Sequence, residues 1–388
     1  MRIALVHDWL DTWGGGEAVL AELLHAFPGA DVYTLVDYLR PAERARLPAA
    51  RIVTSSLQHL PGARRWFRYA AVLRPQIVER FDLSGYDIVV SDSHAIAKGV
   101  VTRPGQVHVC YCHTPARFAW VAASTYSDRA IAGAEWRRPV VERALSRFRE
   151  WDRRTSRRVD RFIANSRHIA AAIARCYGRD AEVIYPPVAV ERFAAAAVRC
   201  AESARGADYV TVSRLVPYKR VDVLVEAFRT LPERRLIVIG DGPERARLEA
   251  LRVPNVEFAG RQDDVETAAR VAQARAFLIA AEEDFGIAPV EAQAAGTPVI
   301  AFGRGGVRES VRALPDPTPT GVFFDEQTPQ AVIAAIRTFE AEAGRIAPAA
   351  CRDNALRFAP ARFRAEIARA VDAACTAHAM HRAVTTAA

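Results

Sequence analysis

The chain has 388 residues, more than one compact core usually takes, so two domains are the natural expectation. With 51% hydrophobic and 25% charged residues it has the composition of a soluble globular protein, and no apolar run approaches the roughly 18 residues a membrane span needs. The net charge of +8 rests almost wholly on arginine and favours anionic partners such as phosphates, nucleotides or an anionic membrane face.

In chain order, the start MRIALVHDWLD is a strand-like run that reaches an acid by residue 8, unlike a cleavable secretory signal. IALVHD (3–8) leads through a Gly-rich turn into a helix, EAVLAELLHAF (17–27). Further strand-like runs are ADVYTLV (30–36), RIVTS (51–55), YDIVVSD (86–92), VHVCYCH (107–113), RFIANS (161–166) and AEVIYPP (181–187). The pattern then restarts with YVTVSRL (209–215), RLIVIGDG (235–242), VEFAG (256–260), AFLIAA (276–281), TPVIAFG (297–303) and GVFFDE (321–326). Strands separated by helix-length segments predict parallel sheets with crossovers, hence two doubly wound α/β domains with ligands beyond the carboxyl ends of the strands.

The domain boundary falls at Pro186–Pro187, where two prolines end a strand and an Ala-rich segment without strand pattern follows. The expected division is an N-terminal domain over 1–188, a linker over 189–205, a C-terminal domain over 206–358, and a last helical segment over 359–388 with a frayed tail. All six tryptophans lie in the first half, which argues against simple duplication. The six cysteines, at 110, 112, 176, 200, 351 and 375, form no disulfide framework and lack zinc-ligand spacing; they read as reduced, mostly buried thiols of a cytosolic protein.

Several stretches carry candidate chemistry. Gly14, Gly15 and Gly16 lie between the first strand and its helix, where glycines let a phosphate approach backbone amides at a helix N-terminus; the alternative is a structural turn. The dinucleotide fingerprint GxGxxG is absent. In SRLVPYKR (213–220), Arg214 and Lys219 follow a strand and can hold a diphosphate while neutralising charge on it as a leaving group. Arginine and alanine are both abundant here, so one arginine carries little information, but Lys98 and Lys219 are the only lysines. His113 ends the strand of CYCHTP, as a packed or capping histidine or as a site residue; His94 and His7 are weaker versions of the same case. Asn165 and Ser166 read as a cap for a helix over 167–177.

The densest cluster is EEDFGIAPVEAQAAGTPVIAFGRGG (282–306). Glu283 lies in a loop at a strand end, and Glu291 shares a helix face with Ile287. Gly286 frees amides near the helix start for an anion or sugar hydroxyls. Two carboxylates near a cation-lined phosphate site suit a sugar nucleotide. No Asp-x-Asp motif or metal-spaced His/Asp set is present, so side chains and helix dipoles are expected to handle the diphosphate charge without a metal or other cofactor. Two basic segments, RRWFRYAAVLRP (64–75) and residues 137–161 with ten arginines against four acids, read as solvated helix faces or as docking surfaces for an anionic membrane or acceptor. No nucleic-acid recognition signature accompanies them.

Taken in order and spacing, GGGE (14–17), YCHTPARFAW (111–120), FIANSRHIA (162–170), IYPPV (184–188), SRLVPYKRVDVLVEAF (213–228), IGDGPER (239–245), FAGRQDD (258–264) and the 282–306 phrase resemble the retaining glycosyltransferases of family 4. That resemblance implies the GT-B fold, two facing Rossmann-like domains with an interdomain cleft. Within the family, the phrases look most like bacterial mannosyltransferases of polysaccharide and O-antigen assembly that use GDP-mannose. Glu283 then faces the donor sugar and Glu291 the ribose. Asp284, Phe285, Gly286 and Ile287 line the donor, Arg214 and Lys219 grip the diphosphate, and Gly15 and Gly16 approach it. His113 supports the reacting centre, and Arg261 and Gln262 bound the nucleobase. The resemblance also implies an acceptor (glycan or lipid-linked saccharide) on the first domain, a last helix crossing back to that domain, and a cytoplasmic enzyme that is peripheral on the membrane. One departure is Ala281, before Glu282, where related proteins often carry glycine. Competing readings are another donor (GDP-rhamnose or a UDP-sugar), an epimerase-like enzyme, or a non-catalytic nucleotide-sugar binding protein.

Overall fold

The computed structural model describes residues 1–120, 135–200 and 206–387, with side chains to residue 380 except that of residue 200. The chain divides into two units, residues 1–187 with 363–388, and residues 188–362.

The first unit is built on strands β1 (Ile3–His7), β2 (Asp31–Thr34), β3 (Ile52–Thr54), β4 (Ile88–Ser93), β5 (Val107–Cys112), β6 (Arg161–Ala164) and β7 (Ala181–Val183). Every pairing is parallel and the spatial order is β3-β2-β1-β4-β5-β6-β7. The order reverses direction between β1 and β4, so crossovers leave to opposite sides there and open a crevice beyond the strand ends. The strands read as nearly unbroken apolar runs because both faces are covered. One face packs against the helix Gly15–Ala26 through Val19, Leu20, Leu23 and Leu24, the other against Phe67, Phe148 and Trp151 from the helices Ala63–Leu73 and Arg138–Thr155. Ser166 caps the helix Arg167–Tyr177, its hydroxyl accepting from the Ile169 amide at 3.1 Å, and Gly178 ends that helix at φ +64°.

Lys98 is a structural residue. Its ammonium is buried, donates to the Asp152 carboxylate and carbonyl, and lies 4.8 Å from the centre of the Tyr177 ring. Asp152 also accepts from Trp120 Nε1 and the Tyr177 hydroxyl, each at 2.8 Å, so the buried charge is fully surrounded by donors. Beside it, Gly99 is obligatory: a Cβ there would meet the Trp151 ring at 2.4 Å.

The final helix, Pro360–Ala387, belongs to this unit from Phe363 onward. Phe363, Ile367, Ala370, Val371 and Ala374 join the same apolar cluster as Leu5, Leu20 and Val90, and Arg364 pairs with Glu22 at 2.5 Å.

The second unit repeats the architecture with β8 (Tyr209–Val212), β9 (Leu236–Ile239), β10 (Val256–Gly260), β11 (Ala276–Ile279), β12 (Val299–Phe302) and β13 (Gly321–Phe324), all parallel, in the order β10-β9-β8-β11-β12-β13. Its reversal lies between β8 and β11. Within the segment expected as a linker, 189–205, the described residues form the helix Val190–Cys200, which is part of this unit's body. Phe193 and Ala196 are buried, and Arg192 ties the helix to Asp264 at 2.6 Å and to Glu291 at 3.2 Å. Its alanine-rich composition, which carries no strand signal, is good helix-forming sequence. Residues 201–205 lie outside the described residues.

Cys110, Cys112 and Cys351 are buried free thiols, and Cys176 and Cys375 are half-buried free thiols. No helix among the described residues is long and apolar enough to cross a membrane.

Candidate functional site

In the second unit, the loops after β8 and β11 flank the point of reversal. Lys219 ends a short 3-10 turn, Pro217–Lys219, and Arg220 at φ +50° then opens the helix Val221–Arg229. Lys219 Nζ donates to Glu283 Oε1 at 2.6 Å, with side-chain exposures of 22% and 14%. The cation of one loop and the acid of the other therefore meet in a half-buried setting, where their attraction exceeds that of an open surface pair. Arg214 is exposed, and its guanidinium has no partner among the described residues.

Two glycine contacts hold these loops in place. A Cβ at Gly240 would lie 1.9 Å from the Ser213 carbonyl oxygen, and one at Gly306 would lie 2.2 Å from that of Asp284. The turn after β9 thus lies directly on the Arg214 loop, and the turn after β12 lies on the acidic loop. Gly306 N–H donates to the Glu283 carbonyl at 2.7 Å, and Phe285 anchors the loop by burial against Phe358. Gly286, at φ +94°, begins the helix Ile287–Ala294, whose first turn presents Ile287 and whose second carries Glu291. Glu291 is half-buried and held by Arg192. Arg261 and Gln262 follow β10, two strands from β8; Gln262 is engaged with Glu266 at 2.9 Å.

In the first unit, three central strands end in a polar cluster. Parallel register places His7 of β1 beside Asp92 of β4, and Asp92 beside Tyr111 of β5. Asp92 accepts from His7 Nδ1 at 2.8 Å through one oxygen and from His113 Nε2 at 2.6 Å through the other. Burial alone would raise the Asp92 carboxyl, but the charges and N–H groups of the two imidazoles hold it well below the usual carboxylate range. Burial likewise opposes charge on His7, yet Asp92 and Glu17 together push it up to about 10. At 3.8 Å, Glu17 is an ion-pair neighbour of His7 Nε2, too distant for a hydrogen bond. For His113, desolvation is overcome by Asp92 and the pKa rises. Its amide donates to the Ser93 carbonyl at 2.9 Å, and Asn165 Nδ2 donates to its carbonyl at 2.9 Å.

His94 belongs to a neighbouring device. The buried Asp8 carboxylate accepts from four successive amides, His94 to Ala97, at 2.6–2.9 Å, which fixes the turn after β4. Burial lowers the pKa of His94 in spite of Asp8 beside it. Gly15 and Gly16 open the helix Gly15–Ala26, with Gly14 extended ahead of them and without a side-chain cap. A Cβ on Gly16 would touch His7 Cε1 at 3.5 Å, so the glycine turn and the histidine cluster are neighbours.

Sequence reasoning selected His113 but passed over Asp8, Asp92 and Glu17 and ranked His7 low. The signal was present: HD, SD and CH end three otherwise apolar strands, and a parallel sheet brings such ends together. Among the described residues, no three His, Cys, Asp or Glu side chains are arranged to hold a metal ion.

Residues 13–192 match the family model Glycosyltransferase Family 4, and residues 202–358 match Glycosyl transferases group 1. D-inositol 3-phosphate glycosyltransferases are similar over part of the chain: that of Mycobacterium sp. (strain JLS) is 33% identical over 178 residues, and that of Streptomyces bingchenggensis 34% over 182. Each match covers 39% of this chain, and the chain spans only about two-fifths of those relatives' length, 39% and 40%. Among solved structures, Anabaena HepE in complex with UDP and glucose aligns over 96% of this chain and 99% of its own with a TM-score of 0.68 at 20% identity. Sucrose-phosphate synthase from Thermosynechococcus elongatus aligns over 100% of both chains with a TM-score of 0.64 at 19% identity. At these identities the likeness concerns the fold, two parallel-sheet α/β domains of the GT-B type.

Proposed function

Since the chain belongs to the family 4, group 1 glycosyltransferases, we propose that it transfers a hexose from a nucleotide sugar to a saccharide acceptor with retention of configuration. The observation that carries this reading is the Lys219–Glu283 pair at the reversal point of the second sheet, with Arg214 exposed one loop-length away. On this reading Lys219 and Arg214 bind the diphosphate. Glu283 accepts from sugar hydroxyls, Glu291 accepts from the ribose diol, and the amides near Gly286 add donors. The acceptor hydroxyl attacks the anomeric carbon on the face from which the diphosphate leaves. A leaving phosphate oxygen takes the hydroxyl proton, and the two cations stabilise the charge that develops there. His113 supports the sugar, and the diphosphate charge is met by side chains without a metal cofactor.

GDP-mannose is the donor we favour, from the motifs YCHTPARFAW (111–120), FAGRQDD (258–264) and the 282–306 phrase; a UDP-sugar is the second reading, favoured by the fold likeness to HepE bound to UDP and glucose. A calorimetric panel of GDP-, UDP- and ADP-sugars, with and without EDTA, tests both. Selective binding of GDP-mannose is expected. Preference for UDP would overturn the donor choice, EDTA-sensitive binding the metal independence, and no binding at all the reading itself. Transfer to lipid-linked saccharides is expected, with inositol phosphate as the comparison acceptor.

The reading places the enzyme in the cytoplasm at an anionic membrane face. The helix Ala63–Leu73 presents Arg65, Tyr69 and Leu73 at four-residue intervals, and Tyr69 and Leu73 are 70% and 66% exposed. Leu60, Trp136 and Val140, in arginine-rich stretches of the same unit, are exposed as well. Apolar side chains set among cations suit a headgroup layer that is itself anionic.

A further inference from the structure

The histidine cluster of the first unit has a feature that packing does not explain. A single buried carboxylate, Asp92, serves two imidazoles at once, and both of its oxygens are occupied by ring N–H groups. That occupancy fixes the protons: Nδ1 of His7 and Nε2 of His113 must each carry one. His7 is completely buried, and its Nε2 has no hydrogen-bond partner, with Glu17 standing 3.8 Å away. His113 has a side-chain exposure of 14%, and its Nδ1 has no partner among the described residues. The other groups facing the cluster are Asp8, which is spent on the amides of 94–97, His94, whose ring centre lies 6.4 Å from that of His113, and the Tyr111 ring at 5.3 Å.

We propose that Glu17, His7 and Asp92 form a buried relay that sets the orientation and charge of His113, so that Nδ1 of the protonated ring is presented as a hydrogen-bond donor to a ligand oxygen at the end of β5. Asp92 aims the ring and favours its protonated form. His7, held as a cation between Asp92 and Glu17, moderates that effect, so that His113 is not locked permanently in one state. Glu17 is carried by the first turn after the glycines, so the relay links the glycine turn to the end of β5. His7 and Glu17 act through other residues and are positioning residues. The inference deepens the sugar-nucleotide reading and rests on it only for the identity of the oxygen that Nδ1 meets.

The test is a histidine-ring NMR titration of the full chain without ligand, with the His113 signal assigned by its loss in His113→Gln. Asp92→Asn is expected to lower the His113 midpoint by about 1–3 pH units, the effect of removing an adjacent opposite charge. His7→Asn keeps a side-chain amide able to donate to Asp92 but removes the cation, and is expected to raise the midpoint by on the order of one unit. Glu17→Gln removes an anion that helps to hold the His7 proton, so it is expected to lower the His7 midpoint while the His113 midpoint stays fixed or falls slightly. The upward shift in His7→Asn discriminates, because mere loosening of the fold would bring the raised His113 back down toward its ordinary value. A His113 midpoint that falls or stays fixed in His7→Asn overturns the relay, whether or not Asp92→Asn folds. The titration needs no donor: the relay can stand if the donor panel fails, and it can fail while sugar transfer is confirmed. Where transfer is measured, the acidic and basic limbs of the kcat/KM profile should move with the NMR midpoints.

Discussion

Replacing Lys219 by Met separates folding from ligand binding at the second unit's candidate site. The ion pair it breaks is 2.6 Å long, with the two side chains 22% and 14% exposed. An exposed pair contributes about 0.2–1 kcal/mol and a fully buried one costs about 3–5 kcal/mol to break, so this half-buried pair should cost about 1–2 kcal/mol of stability. The ligand effect should be larger. Loss of one charge-assisted hydrogen bond to a diphosphate is about 1.5–3 kcal/mol, a 10- to 150-fold rise in Kd for the nucleoside diphosphate. If the cation also stabilises the leaving group, transfer should fall by about 100- to 1,000-fold. Glu283→Gln provides the opposite sign: it removes the carboxylate competing for Lys219, so nucleoside diphosphate binding should hold or tighten while sugar transfer collapses. Isothermal titration with the nucleoside diphosphate, beside single-turnover transfer, reads both. Equal weakening of binding in the two variants, or unchanged binding in Lys219→Met, would refute the diphosphate assignment.

Lys98→Met should destabilise the first unit by about 3–5 kcal/mol, read by chemical denaturation, because it leaves the Asp152 carboxylate buried without its cation. Gly240→Ala combines φ +133° with a Cβ 1.9 Å from the Ser213 oxygen, so it should displace the Arg214 loop and weaken nucleotide binding; calorimetry with unchanged affinity would refute that contact's importance. His7 has a folded pKa of about 10 against an ordinary 6.5, so the folded state holds an extra proton between those values. Its stabilisation is complete below pH 6.5 and is lost as pH rises toward about 10, a decline that denaturation curves of His7→Asn should lack. Leu73→Glu on the exposed helix Ala63–Leu73 should reduce co-sedimentation with vesicles containing anionic lipid, with no effect on nucleotide affinity.

Much of this protein is determined by local sequence. Apolar runs of strand length separated by helical patterns require parallel sheets, because only crossover helices can cover both faces. GGGE, SRLVPYKR and EEDFG could be placed at strand ends because glycine, proline and charge terminate such runs. The expected linker 189–205 was misleading for a local reason: alanine-rich sequence without strand pattern looks the same in a linker and in a helix, and only the burial of Phe193 and the Arg192 contacts show that the helix Val190–Cys200 is built into the second unit. The two lysines show the same limit. Identical in rarity, Lys98 became a buried structural cation and Lys219 a half-exposed partner of Glu283, a difference set by what the fold puts around each. His7, Asp92 and His113 are 85 and 21 residues apart in pairs along the chain, and no local pattern joins them. Their union follows from strand order and register, β1 beside β4 beside β5, which are settled by how whole elements pack and not by any stretch read alone.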